Sequence, residues 1–107
     1  MNEETLDSLN QAIAYMKAQN YEPAVQLLKE LIKEDPKNPE FYRHLGNAHA
    51  CMDRYDDGIQ AFKTALMYKK EDGQLLYSLG GLYLLKDQIK EGIQYYNRAE
   101  AAGYRTV

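Results

Sequence analysis

The sequence predicts an all-α fold of helices arranged in three similar pairs. Three observations carry that expectation. Leucine, alanine, lysine, glutamate and glutamine dominate the 107 residues, and all are good helix formers. No stretch alternates apolar and polar residues as a half-buried strand does. The same pattern of large and small residues also returns after 34 positions, and then again.

The elements follow in order. A first helix is expected over 3–18 and a second over 22–34, parted by a short polar turn at Gln19-Asn20. Asp35-Pro36 ends the second helix, because a residue before proline avoids the α region. Asn38-Pro39-Glu40 opens the third, over 39–52: Asn38 caps it, and Pro39 suits a first helical position that has no use for its N–H. A turn at Asp53-Arg54 precedes the fourth helix, 55–69. Asp72 caps the fifth, 73–85, and the sixth, 88–102, stops at Gly103 in the left-handed conformation that glycine favours. Connections this short force neighbouring helices to pack antiparallel.

Composition narrows the function. A chain of 107 residues is expected to form one domain, 1–107. Net charge is −3, which offers no electrostatic footprint for nucleic acid or an anionic membrane. No apolar run approaches the roughly 20 residues that span a bilayer. The start, Met1 to Glu4, is polar and acidic, unlike a signal peptide, so a cytoplasmic location is expected. A lone cysteine, Cys51, excludes an intramolecular disulfide and a cysteine zinc site.

Candidate chemistry is thin. Ser8 and Ser78 have no histidine at a helical neighbour spacing. His44 and His49 stand five apart on one helix, point in different directions and cannot share a metal; His49 falls on a packing position and His44 on a more exposed one. Asp53, Asp56 and Asp57 lack the spacing and the glutamate of a calcium loop. Gly80-Gly81 sits in no phosphate-loop pattern. Cys51 reads as a small apolar filler. No enzyme activity, no cofactor and no metal is expected.

The repeat is specific. Tyr42, Leu45, Gly46, His49, Tyr55, Gly58, Phe62 and Ala65 return 34 residues on as Leu76, Leu79, Gly80, Tyr83, Ile89, Gly92, Tyr96 and Ala99. One step back lie Ser8, Gln11, Ala12, Tyr15, Tyr21, Ala24, Leu28 and Leu31, then Pro36. This spacing resembles the tetratricopeptide repeat, with units at 5–38, 39–72 and 73–106. The second unit matches best. The first lacks the aromatic and the Leu-Gly pair, and the third lacks the closing proline. Mid-helix Gly46 and Gly80 each cost about 1 kcal/mol against alanine, a cost that makes sense where a partner helix leaves no room for a Cβ.

The resemblance implies an α-solenoid, a right-handed superhelix whose first helices line a concave face. It directs toward that face Leu6, Leu9, Ile13, Met16 and Lys17 in the first unit. In the second it directs Glu40, Arg43, Asn47, Ala50 and Cys51, and in the third Gln74, Tyr77, Gly81, Leu84 and Leu85. Leu6, Leu9, Ile13 and Met16 form an apolar stripe at helical spacing, which marks either an interaction surface or a helix turned inward to bury it. Leu6, Leu9, Ile13, Met16, Lys17, Arg43, Asn47, Tyr77, Leu84 and Leu85 are the expected partner contacts. Some relatives clamp a C-terminal carboxylate with Lys, Asn and Arg. The matching positions here are Leu9, Ile13, His44, Gln74 and Ser78, which do not fit that role.

The expected function is therefore a non-catalytic module that binds a peptide or helix of a partner protein in an apolar groove. The alternatives are a self-assembling scaffold or a chaperone that shields an apolar segment of a secreted protein. Parts of Leu82, Tyr83, Ile93 and Tyr96 are expected on the open last edge, which would suit a second copy of the chain.

Overall fold

Six helices form among the described residues: Glu3–Lys17 (α1), Tyr21–Glu34 (α2), Pro39–Cys51 (α3), Tyr55–Tyr68 (α4), Gly73–Leu85 (α5) and Ile89–Ala101 (α6). Each boundary lies within one residue of the sequence expectation. The computed structural model describes residues 1–105, so Thr106, the expected end of the third unit, lies outside the described residues.

The starts of α1, α3 and α5 are fixed by side-chain caps. The backbone N–H of Thr5 donates to Asn2 Oδ1 at 2.7 Å, that of Glu40 to Asn38 Oδ1 at 3.0 Å, and that of Leu75 to Asp72 Oδ1 at 3.0 Å. Each bond satisfies a donor that the first helical turn cannot. The helices α2, α4 and α6 begin without a side-chain cap, directly after tight turns.

Those turns repeat. Gln19, Asp53 and Asp87 adopt left-handed φ values of 62°, 59° and 61°. The next residue in each turn sends its N–H back to the helix it has left: Asn20 to Tyr15 O, Arg54 to His49 O and Gln88 to Tyr83 O, at 2.8–2.9 Å. This is the Schellman closure, formed here without glycine. Gly103, at φ 91°, ends α6 in the same way, and Tyr104 N–H donates to Ala99 O at 3.0 Å.

Packing is antiparallel within each pair, and consecutive pairs stack along one direction, giving extents of 40 × 26 × 25 Å. The core accordingly divides by junction. Leu9, Ala12, Leu28, Leu31 and Phe41 gather α1, α2 and α3. Ile59, Phe62, Ala65, Leu75, Leu79 and Leu82 gather α4 and α5. The two mid-helix glycines sit where the pairs close: a Cβ on Gly46 would lie 2.6 Å from Phe62 Cε1, and one on Gly80 would lie 2.6 Å from Tyr96 Cδ1.

The last edge differs from expectation in part. Leu82 is buried against Ile59 and Phe62, and Tyr96 lies half-buried under the Tyr77 ring, so neither is open. Ile93 is 50% exposed, whereas Ile59 and Val25, its equivalents one and two units back, are buried where the next unit stacks. The chain after α6 turns back, and Tyr104 packs on Tyr77 with ring centroids 5.0 Å apart.

Gln19 bears the left-handed penalty with a side chain that gains nothing from it. Replacing it with glycine is expected to raise unfolding stability by about 0.5–1 kcal/mol, the steric relief exceeding the added unfolded-state entropy. Urea denaturation would read this, and a loss of stability would contradict the strain argument.

Candidate functional site

The inner face carries a shallow apolar groove of about 530 Å³ between α3 and α5. Asn47 and Ala50 form one wall, and Ser78, Leu84 and Leu85 the other. Phe62, Leu82 and Tyr96 form the floor. Gly81 keeps that floor open: a Cβ there would come within 3.6 Å of the Tyr96 hydroxyl. Leu85 is 61% exposed and continues the apolar lining of the groove to its rim. Toward the helix N-termini the face becomes polar. Arg43 donates through Nη1 to Gln74 Oε1 at 2.8 Å and through Nη2 to Glu40, which bridges α3 to α5.

Of the expected partner contacts, the groove gathers Asn47, Leu84 and Leu85. Tyr77 lies beside it, 4.9 Å from the Tyr96 ring, so its ring packs on its own chain. Arg43 is held by Glu40 and Gln74 and is not a free cation. The stripe on α1 is corrected. Leu9 is buried in the core with Phe41, and Ile13 packs against the same cluster. Leu6 is 45% exposed, Met16 is half-buried and Lys17 is exposed, and none of them lines the groove. The reason is one-sided burial. Among the described residues no element packs on the Asp7, Gln11 and Ala14 flank of α1, so the helix turns its apolar side toward α2 and α3. Cys51, expected as filler, is exposed. Sequence reasoning missed the floor residues Phe62, Leu82 and Tyr96, which come from three different helices and meet the groove only in the packed fold.

A second concavity of about 390 Å³ lies on another face of α3, between α2 and α4. Lys29 comes from α2, His49 from α3, and Arg54, Gln60, Ala61 and Thr64 line the α4 side. Arg54 is paired with Glu22 across the junction. His49 is only 8% exposed, and its buried Nδ1 has no hydrogen-bond partner. Burial holds the His49 pKa below the usual imidazole range; Asp57 and Glu22 oppose that shift, while Arg54 and Lys29 reinforce it. His44 is lowered as well, by burial first and by Arg43 next, with Glu40 opposing.

Among the described residues, no group of three or more His, Cys, Asp or Glu side chains is placed to hold a metal ion. No described helix is long and apolar enough to cross a membrane.

Comparison with known proteins gives a consistent result. Two family models match, one described as TPR repeat over residues 13–53 and one as tetratricopeptide repeat over residues 52–104. A TPR repeat-containing protein of Bacillus subtilis (strain 168), YpiA, is 25% identical over 63 residues, 59% of this chain; the match spans 15% of that curated relative's length. Among solved structures, a chain of the CopN-Scc3 complex superposes with a TM-score of 0.91 at 14% identity, covering 99% of this chain and 62% of that one. The second TPR of Spaghetti (RPAP3) bound to the HSP90 peptide SRMEEVD gives 0.87 at 13% identity, covering 94% and 93%. A crystal structure of MamA gives 0.86 at 22% identity, covering 92% and 57%.

The site geometry makes two expectations testable. Leu9→Ala is expected to cost about 2–4 kcal/mol, as truncation of a buried leucine does, whereas Leu6→Ala should cost under about 0.5 kcal/mol; chemical denaturation of the two variants checks the difference. Because both histidines resist protonation when folded, the unfolded chain binds more protons below its usual imidazole pKa of about 6.5. Thermal stability should therefore fall as pH drops from about 7.5 to about 5.5. His49→Tyr, the residue found at the matching positions 15 and 83, should make that slope shallower, and an unchanged slope would show that His49 is not responsible.

Proposed function

Since the chain belongs to the tetratricopeptide repeat family, we propose that it is a non-catalytic protein-interaction module that captures an apolar segment of a partner protein between α3 and α5. One observation carries this reading: the groove is open, about 530 Å³ in volume, and walled by Leu84 and the exposed Leu85. An apolar side chain entering it would displace water from Leu85 and from the half-buried Tyr96 ring, the usual source of anchor energy in such grooves. The polar end, where Arg43 is already neutralised by Glu40, favours a segment whose charges lie away from the groove.

The ligand is not a carboxylate terminus. A TPR of the same fold holds the HSP90 peptide SRMEEVD. Here Leu9 and Ile13, at two of the positions where the family resemblance would put a clamp, are packed with Phe41 and its core. His44, Gln74 and Ser78 supply no cation pair at the others.

A second reading, self-assembly, rests on a different observation. Ile89 and Ile93 on α6 and Leu85 at the end of α5 are each at least half exposed on the last edge. On that reading two copies cover each other's α6.

The readings separate experimentally. Phage-displayed peptides selected on the immobilised chain are expected to carry large apolar anchors, and Leu85→Asp is expected to weaken their binding more than tenfold with helical content unchanged. Selected peptides indifferent to Leu85→Asp would place binding elsewhere. In sedimentation at rising concentration, a dimer that Ile93→Lys abolishes would favour self-assembly, and a chain that stays monomeric would remove that reading.

A further inference from the structure

The two junctions between repeat units are built to one plan but filled differently. In the second junction Tyr83 and Tyr95 stack with ring centroids 5.3 Å apart and planes 6° from parallel. Lys63 lies over the Tyr83 ring at 5.6 Å, and Arg98 over the Tyr95 ring at 5.3 Å. Thirty-four positions earlier the same four places hold His49, Ala61, Lys29 and Thr64. The lysine is kept, a smaller ring replaces one tyrosine, and a methyl group replaces the other. No ring stands at the place of Tyr95 in the first junction, and all four residues line the 390 Å³ pocket found there.

Two features mark this pocket as more than a packing defect. His49 is nine-tenths buried, and its Nδ1 lacks a partner, which is costly for a buried polar atom. The pocket is also rimmed by polar side chains, Lys29, Arg54, Asp57 and Gln60, rather than by apolar ones alone.

We infer that this pocket is a docking site for the side chain of a tyrosine carried by another protein. The aromatic ring would occupy the space that Tyr95 fills in the other junction, beside His49 and within reach of Lys29 for a cation–π contact. The hydroxyl would meet the polar groups of the pocket, as buried tyrosine requires. An aliphatic side chain would leave the polar rim without a partner. The exposed tyrosines of this chain are already engaged on their own rings, Tyr68 with Tyr42 and Tyr77 with Tyr96 and Tyr104, so the occupant comes from a different polypeptide. The pocket and the inner groove use different faces of α3, and this inference stands whether or not the groove reading holds.

The test uses p-cresol, the side-chain analogue of tyrosine, titrated into the whole chain while the His49 ring signals are followed by NMR. A saturable upfield shift of the His49 Cε1 proton is expected, with half-saturation on the order of 10 mM for so small a probe. Cyclohexanol should not produce it. Ala61→Tyr should abolish it by filling the pocket from within. The double variant His49→Tyr, Ala61→Tyr rebuilds the stacked pair of the second junction; its melting temperature should equal or exceed that of the parent chain, which checks the assignment even if the single variant does not fold. No His49 shift with p-cresol, or a shift that survives Ala61→Tyr, would overturn the inference. A stronger response to benzoate would also overturn it, in favour of an anion site. A shift that follows protein concentration without any probe would mean that a second copy fills the pocket, and would overturn the assignment to another protein.

Discussion

Each of the last two helix pairs closes on an aromatic ring laid over a residue that has no side chain. Phe62 covers Gly46 and Tyr96 covers Gly80, at distances where even a methyl group would collide. The close approach sets how α3 meets α4 and how α5 meets α6, and so how successive pairs are aimed. The first pair solves the same problem more weakly, with Leu28 packed near Ala12, so a larger small residue is balanced by a narrower large one. Mid-helix glycine is unfavourable in isolation. It is retained here because burial of a whole ring outweighs a loss of about 1 kcal/mol.

Stacking such pairs gives a molecule without a single centre. Its core is a sequence of junctions, each bounded by the second helix of one unit and the first helix of the next. The ends then differ in kind. The outer flank of α1 carries Asp7, Gln11 and Ala14 where α3 has Phe41, Leu45 and Ala48 and α5 has Leu75, Leu79 and Leu82, so that end is already polar. The other end leaves Ile93 half exposed at a position buried in both earlier units. Tyr104, packed on Tyr77, shields part of α5 near this end and leaves Ile93 uncovered.

Variation inside this uniform plan is what makes particular surfaces. Gly81, a residue with no packing duty, opens the inner groove to the Tyr96 hydroxyl. Ala61, in place of a tyrosine, opens the pocket beside His49. In both cases a small residue stands beside a ring and leaves a concavity next to it. Positions fixed by the repeat make the scaffold, and departures from it make the concavities.

The sequence alone determined the six helices, their caps at Asn38 and Asp72, the left-handed stop at Gly103, and the repeat family. These rest on local physics and on spacing: proline and cap residues act within a few positions, and a 34-residue period can be read without knowing any contact. It also put Asn47, Leu84 and Leu85 on one face, and all three line the groove, because a helix face follows from register once the pairs are aligned. The tertiary structure decided the rest. Leu9 and Ile13 share their register with Arg43 and Asn47, yet they are core, because α1 is packed on one side only and rotates its apolar stripe inward. The groove floor and the His49 pocket each draw on three or more helices, so no single segment carries their signal. Register tells which residues share a face; only the packing of neighbouring helices decides whether that face meets solvent or core.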